Sequence, residues 1–269
     1  MAYRFNVPRA FIGAAMALWC LGIAALCAPV RAGDALTLEM AAAAFKPYIL
    51  ERISRCLSTV KSMSERIAAR DLAGAQQSWI AARSGWEGSE VVTNEFFPDL
   101  DRKIDAWPDA EKGFHAIEAK LFGAHDVQVL PATEELIDNL TEFERQLRTT
   151  RLTAQGLLNG TAKLIYEIGE NKAEGGESPF SGNSLAEMRV NVAAVAAAYE
   201  RVFAPLTKKR NAELAKVFSK DLAEMRTLVA VPTLQELDQV RLRDASESLV
   251  NDLALVGKEA GLDKPGLGN

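Results

Sequence analysis

Apolar residues recur along this chain at intervals of three and four, and that spacing constrains its fold more than any other feature. The clearest series spans about six helical turns and comprises Leu185, Met188, Val192, Val195, Tyr199, Val202 and Leu206. Similar series begin at Ile53, Leu136, Leu214 and Leu249. Residues so spaced share one face of an α-helix, which a bundle buries in its core. Strand-like alternation is rare, so we predict an all-α protein built of up-and-down helix bundles.

Helix-breaking residues divide the chain into two halves. The first helical set is expected from about 37 to 130, with an irregular insertion at about 96–108. A long helix follows from about 132 to 172, and the segment 175–179, which contains Gly and Pro, is predicted to be a loop. Further helices are separated near Pro205 and at Pro232. We therefore expect two four-helix-bundle-like halves that share one long helix.

The first 32 residues have the pattern of a secretory signal. Arg4 and Arg9 precede the uncharged apolar run Ala10–Pro29, and Val30 and Ala32 stand at the positions that signal peptidase reads. The alternative is an uncleaved membrane anchor, because the run approaches the length of a membrane span. Cleavage predicts a periplasmic protein of residues 33–269 that does not itself span the membrane.

The exported part is acidic and cannot form an internal disulfide, because Cys20 and Cys27 leave with the signal and only Cys56 remains. Its stability must therefore come from a packed core. Residues 1–32 contain three Arg and no acidic residue, so of 31 basic and 36 acidic side chains 28 and 36 remain, a net charge of −8. This balance argues against nucleic acid, whose binding requires neutralised phosphates, and favours cations.

Both histidines of the chain, His115 and His125, lie in one short segment. His115 and Glu118 are three residues apart, so a helix places them on the same face, and most of the neighbouring residues are apolar. A partly buried imidazole beside a carboxylate is either a structural ion pair or part of a metal site. The bundle context favours the metal site, since Glu-x-x-His pairs that face inward bind metals in other helical bundles.

A second group of acids follows the inward-facing tryptophans of the preceding helix. Glu87 and Glu90 flank Trp86, and the repulsion between two such carboxylates favours a cation between them. The alternative is a solvated face on which Arg83 pairs with Glu87. The insertion adds further oxygen ligands at Asp99, Asp101 and Asp105, where irregular backbone can direct them towards a cation.

Three segments together resemble the EfeO/EfeM branch of the imelysin-like family. They are Trp86-Glu-Gly-Ser-Glu90, Phe97-Pro-Asp-Leu-Asp-Arg-Lys-Ile-Asp105 and Gly113-Phe-His-Ala-Ile-Glu118. Gly176-Glu-Ser-Pro-Phe-Ser181 is similar to the acidic loop of that branch, although Ser178 and Gly182 stand where an acid and a histidine are expected. The long EfeO form adds a cupredoxin domain, so this chain resembles the short EfeM form.

The resemblance implies a periplasmic component of a ferrous-iron uptake system that works with an EfeU-type permease and an EfeB-type haem peroxidase. The metal ligands it implies are His115, Glu118, Glu87, Glu90 and Asp105. Asp101 is a rival for Asp105, and Glu177 is a further candidate. We expect iron, with other divalent cations possible, because a site rich in carboxylates suits hard ions better than zinc.

Two other functions stay open from the sequence. A metallopeptidase needs three protein ligands, an open position and a general base, but the usual His-Glu-x-x-His helix is missing. His125 could be a third ligand only if the helix continued past Gly123. The other alternative is a helical interaction protein that binds no metal. Convergence of the acids on one cleft distinguishes the metal-binding hypothesis from both.

We expect the exported protein to begin at Gly33, because signal peptidase cleaves after small residues such as Ala32. Mass spectrometry of protein isolated from the periplasm measures this directly. Material that retains residues 1–32 would identify the segment as an uncleaved anchor instead.

Overall fold

The computed structural model describes residues 32–106 and 112–267, and none of these residues forms a β-strand, which confirms the predicted all-α class. The predicted signal lies outside this range except for Ala32, as does the end of the predicted insertion at Pro108. None of the helices in the described range combines the length and hydrophobicity that crossing a membrane requires.

The helices follow one another through short connections. The first half contains α1 (Ala32–Ala68), α2 (Leu72–Glu87), α3 (Glu90–Phe96), α4 (Pro98–Ile104), α5 (Gly113–Glu118) and α6 (Leu130–Thr149). The second half contains α7 (Ala154–Glu170), α8 (Ser184–Ala198), α9 (Ala204–Arg210), α10 (Ala212–Leu228) and α11 (Gln239–Glu259). Single π-helical turns extend α5 over Ala119–Gly123 and α8 over Tyr199–Phe203. Short 3₁₀ turns lie at Lys172–Glu174 and Leu234–Glu236.

Helix α1 is the long element that both halves share. It has 37 residues and packs against α2 and α6 of the first half and against α7 and the π-helical turn after α8 of the second half. Its inward face is apolar at the spacing of three and four, with Phe45, Ile49, Ile53, Cys56 and Val60 all buried. One apolar stripe therefore contributes to the core of both halves.

The single long helix predicted over residues 132–172 is wrong, because that segment forms α6 and α7. Thr150 leaves the helical region at ψ 132°, and Thr153 is extended at ψ 154°. The side chain of Thr153 accepts a hydrogen bond from the Gly156 N–H at 3.1 Å, which caps α7. Leu147 before the break and Leu152 within it are both buried, so the apolar pattern continues through the break.

The insertion expected to be irregular at about 96–108 is mostly helical. α3 ends at Phe96 and α4 begins at Pro98, whose missing N–H is harmless at the first position of a helix. Phe97 forms the bend between them at φ −140°. Leu100 and Ile104 bury one face of α4, which returns the chain towards α2 with Asp105 at its end.

Helix α5, which carries His115, packs against α2. The Trp79 indole Nε1–H donates to the Phe114 carbonyl at 3.0 Å. The Phe114 ring lies 6.3 Å from the ring centroids of both Trp79 and Trp86. Gly113 begins the helix at φ +66°, where a Cβ would overlap the carbonyl oxygen of Ile104. This close approach places His115 beside the end of α4.

We expect Gly113→Ala to destabilise the protein more than Gly182→Ala. Both glycines have a left-handed φ, which costs an alanine about 1–2 kcal/mol, but a Cβ at Gly182 meets no atom within 4 Å. The additional loss of stability in Gly113→Ala therefore measures the overlap of the new Cβ with Ile104. Thermal unfolding followed by circular dichroism is the measurement, and equal losses in the two variants would contradict the close packing of α5 on α4.

Candidate metal centre

Acidic side chains from both halves line one cavity of about 410 Å³. They are Glu90, Asp101, Asp105, Glu167 and Glu177, and His115 and Lys172 line the same cavity. Ligand atoms approach within 4.8 Å of one another in two overlapping groups: Glu87, Glu90, Asp105 and Glu177, and Asp105, His115 and Glu177. The structure thus brings together four of the five residues proposed from the sequence and adds Glu177.

A buried arginine connects these acids. Arg83 lies on the inward stripe of α2 between Trp79 and Trp86, and none of its side chain is exposed. Its guanidinium pairs with Glu87, with Asp105, with Glu177 at 3.3 Å and with Glu187 at 3.0 Å. Burial opposes the charge, but these carboxylates hold the pKa of Arg83 well above its ordinary value. One cation therefore joins α2 and the end of α4 to the loop before α8 and to α8 itself.

Glu87 is a buried ion-pair partner and not part of a solvated face. The Arg83–Glu87 pair considered as an alternative does form, but both side chains are fully buried. Lys172 Nζ lies 2.8 Å from Glu87 Oε2, and the Asn191 amide donates to the same oxygen at 2.9 Å. Burial alone would raise the pKa of Glu87, but Arg83 and Lys172 outweigh it and the pKa is lowered.

Lys172 lies among the remaining acids, in the turn after α7. Its Nζ is 2.8 Å from a carboxylate oxygen of each of three residues: Glu87, Glu90 and Glu177. Burial disfavours the charged ammonium, but the surrounding carboxylates hold the pKa of Lys172 well above its ordinary value. The site therefore contains a second internal cation, in contact with the acids of the cavity.

Several carboxyl groups of the cavity have raised pKa values. Burial raises the pKa of Glu90 well above its ordinary value, and the neighbouring charge of Glu87 adds to this effect. Burial also raises the pKa of Glu177 to about 8 and that of Asp101 to about 7. Clustered carboxyls that resist ionisation are typical of functional sites, and a nearby cation favours their charged form.

His115 and Asp105 form a buried pair. His115 Nε2 lies 3.0 Å from Asp105 Oδ1, and the Trp86 indole N–H donates to Asp105 Oδ2 at 2.6 Å. Burial lowers the pKa of His115, but the Asp105 carboxylate outweighs it and raises this pKa to about 9. Burial would raise the pKa of Asp105, but the charges of Arg83 and His115 outweigh this effect and hold that pKa below its usual range.

Glu118 binds the loop before α8 and does not belong to the groups of closely spaced ligand atoms. Its Oε1 accepts hydrogen bonds from the Phe180 N–H at 3.2 Å, the Ser181 N–H at 2.8 Å and the Ser181 hydroxyl at 2.7 Å. Its Oε2 remains near the imidazole, 3.8 Å from His115 Nδ1. The structure therefore places Glu118 beside His115 but outside the group of closely spaced ligand atoms, because three donors of one loop occupy its carboxylate.

The same loop carries Glu177 and has a second anchor. The Ser178 hydroxyl lies 2.8 and 2.9 Å from the two carboxylate oxygens of Glu187, and the Ser178 N–H donates to Ser184 Oγ at 3.0 Å. Ser178, where the resemblance expects an acid, thus ties the loop to α8. The two anchors follow Glu177 directly along the chain and hold the loop while the Glu177 carboxylate contacts Arg83 and lines the cavity.

Comparison with known proteins identifies the family. Residues 41–257 match the profile of imelysin, peptidase family M75. The chain belongs to the imelysin family. It is similar to the iron uptake system component EfeO of Yersinia pseudotuberculosis serotype I (strain IP32953), at 27% identity over 256 residues covering 88% of this chain and 68% of the relative.

A second relative gives the same result. The iron uptake system component EfeO of Escherichia coli (strain K12) is 28% identical over 248 residues, which cover 85% of this chain and 66% of the relative. The imelysin-family chain thus spans about two thirds of the length of these relatives. The predicted EfeO and imelysin-like resemblance is confirmed.

The fold of this imelysin-family protein also matches a solved structure. That structure is from Parabacteroides distasonis ATCC 8503 and is assigned as an iron-regulated protein A precursor. It superposes with a TM-score of 0.65 at 17% identity, covering 84% of this chain and 94% of the other. At that identity the likeness supports the all-α fold and carries no statement about function.

The other candidate ligands from the sequence differ in whether they line the cavity. Asp101 lines the same cavity as Asp105, but Asp105 contacts His115 and Arg83. Asp99 is exposed and pairs with Arg102 on the surface. His125 is exposed at φ +52°, beyond the π-helical turn that ends at Gly123, and so lies outside the helix that carries His115.

Sequence reasoning missed part of this imelysin-family site. On α8, Ser184, Glu187 and Asn191 repeat at three and four residues and are all buried, so a second, polar stripe was present beside the apolar one. The segment Asn171-Lys172 belongs to the family resemblance, but the apolar spacing did not predict the burial of Lys172, because it follows α7 in the polar stretch Glu170-Asn-Lys172. Its burial depends on Glu87, which is 85 residues away along the chain.

We expect Glu118→Gln to loosen the loop that carries Glu177. The amide keeps the size of the side chain but loses the charge that strengthens its three hydrogen bonds. Hydrogen exchange at the Phe180 and Ser181 amides should become faster by roughly tenfold, equivalent to about 1.4 kcal/mol. Glu134→Gln, at an exposed position of α6, is the matched control. Unchanged exchange at both amides would show that Glu118 does not anchor the loop.

Proposed function

We propose that this imelysin-family protein binds iron in the cavity between its halves and passes it to a membrane permease of an iron uptake system. The observation that carries the proposal is the approach of ligand atoms of Glu87, Glu90, Asp105 and Glu177 within 4.8 Å of one another. Four carboxylates at that spacing repel unless protons or cations lie among them. His115 adds one imidazole through the second, overlapping group.

The chemistry of the donors favours a hard cation. Carboxylate oxygens dominate the set, and the other histidine, His125, lies on an exposed turn. Oxygen-rich sites suit Fe(III), Mn(II) or Ca(II) better than the softer ions that prefer thiolates and imidazoles. The two EfeO relatives are named as iron uptake system components, which favours iron among these ions.

The cellular role follows from the relatives and from the N-terminal pattern. A signal-like segment at residues 1–32 supports a periplasmic location. An EfeU-type permease is then the acceptor of the ion, and an EfeB-type haem peroxidase the companion enzyme. Iron is cargo in this scheme, so the protein must both bind the ion and release it.

A peptidase fits the same residues less well, although the family carries that name. A zinc peptidase uses three protein ligands, an open position and a general base. Glu118, the acid nearest to His115 on its own helix, is engaged by three donors of the Phe180–Ser181 segment. A helical interaction protein without metal would explain the ion pairs but not the excess of acids whose ionisation burial disfavours.

We expect Glu90→Ala and His115→Ala each to weaken metal binding by at least about tenfold, because each removes a ligand. Isothermal titration with Fe(II) under anaerobic conditions, and with Fe(III), Zn(II) and Ca(II), measures the loss. Glu134→Ala, at an exposed acid, should bind as the unmodified protein does. Bound metal should also raise the melting temperature, since it binds only the folded chain.

The same titrations have a defined pH dependence. Ligands must be deprotonated to bind, and the pKa of Glu177 is raised to about 8, so affinity should fall as the pH drops below that value. Equal affinity in the unmodified protein, Glu90→Ala and His115→Ala would contradict the proposal and leave the cluster as a structural ion-pair network.

A further inference from the structure

Lys172 occupies the position among the acids that a bound cation would take. Its Nζ is 2.8 Å from each of Glu87, Glu90 and Glu177, and its side chain is only 5% exposed. These three acids belong to the group of four whose ligand atoms converge. We propose that the Lys172 ammonium is an internal competitor, which occupies the site without metal and leaves these acids when the metal binds. This inference rests on the proposed function.

The distances make the two cations mutually exclusive. Hard metal ions bind carboxylate oxygens at roughly 2.0–2.6 Å, so an ion held by these three acids would lie within about 5 Å of the present Nζ position. At that separation, inside a buried site, like charges repel strongly. The same three carboxylates already pair with the ammonium, so a metal ion bound by them would compete with it for their charge. Metal binding therefore requires the ammonium to move.

The surroundings of Lys172 allow that movement. Its side chain lines the cavity of about 410 Å³, and Asp101 and Glu167 line the same space. Burial raises the pKa of both of these carboxyls, and the nearby charge of Lys172 opposes that rise. A flexible four-carbon chain can carry the ammonium from Glu87 towards either acid. The displaced charge would then remain paired inside the protein.

Arg83 provides the contrast. It pairs with four carboxylates, and its guanidinium lies 5.2 Å from the Phe114 ring centroid and 5.8 Å from that of Trp79. A planar guanidinium that is contacted on several sides stays in place, whereas the lysine ammonium is a compact charge at the end of a flexible side chain. Of these two cations, Lys172 is the one that metal can displace.

The test compares Lys172→Met with Lys163→Met. Lys163 is the matched control, since its Nζ lies 2.8 Å from Glu95 and it is not among the residues that line the cavity. The probe is Mn(II), titrated calorimetrically into the full chain at constant pH and ionic strength. Removal of the competitor should strengthen Mn(II) binding by at least about tenfold in Lys172→Met and leave Lys163→Met unchanged. Lys172→Arg, which keeps the charge, should not gain affinity.

A second measurement needs no variant and decides the question if Lys172→Met fails to fold. Acetylation of lysines in the unmodified protein, read by peptide mass spectrometry, reports whether each amine is held by its carboxylates. Mn(II) should increase the labelling rate of Lys172 severalfold and leave that of Lys163 unchanged. A rate for Lys172 that does not respond to saturating Mn(II) would overturn the displacement.

The outcomes separate the two proposals. If the unmodified protein binds Mn(II) and Lys172→Met binds it equally or more weakly, the competitor role is overturned and metal binding stands. If neither binds Mn(II) or iron, the proposed function fails and the competitor role fails with it. Binding of Mn(II) and iron detected only in Lys172→Met overturns both proposals, since the ammonium would then block the site permanently and would not leave when metal is added.

Discussion

Arg83 has no exposed side-chain surface, and the cost of burying its positive charge has to be offset by groups that the fold brings to it. Those groups come from distant parts of the chain, since Glu187 is 104 residues away and Asp105 is 22. A buried ion pair is weak evidence for stability, because apolar residues can often replace it at no loss. What the guanidinium contributes is geometry: its rigid donors fix where the acids of both halves lie.

The other anchors act around this fixed charge. Glu118 holds the Phe180–Ser181 segment through three hydrogen bonds, and Glu187 of α8 holds Ser178, the residue after Glu177. Gly113 lets α5 approach the end of α4, which brings His115 to Asp105. These contacts are made by residues that neighbour Glu177 and His115 along the chain, and Glu177 and His115 line the cavity. Their common effect is that the carboxylates are oriented by the scaffold and need little rearrangement to meet a cation.

The sequence predicted the helices well where burial alone decides them. The stripe from Leu185 to Leu206 is buried throughout, because apolar spacing and core packing are the same constraint. The prediction of one continuous helix was wrong at residues 150–153. Buried apolar residues continue through this segment, but Thr153 caps a new helix, α7. Within the site, the sequence suggested that Arg83 pairs with Glu87, but only on a solvated face. The burial of Arg83 and its contacts with Asp105 and Glu187 were not predicted. The burial of Lys172 could not be predicted, because it depends on acids such as Glu87 that lie far away along the chain.

Acids outnumber fixed cations in this cavity, and that imbalance bears on why the site exists. Burial raises the pKa of Glu90 and of Glu177 even though Lys172 lies 2.8 Å from both, so one ammonium does not satisfy them. Apolar or amide side chains in their place would avoid that cost, so stability alone gives no reason for two carboxyls here. Local conflicts of this kind mark functional positions more often than structural ones. A multivalent cation would relieve the conflict because it favours ionisation of both carboxyls at once.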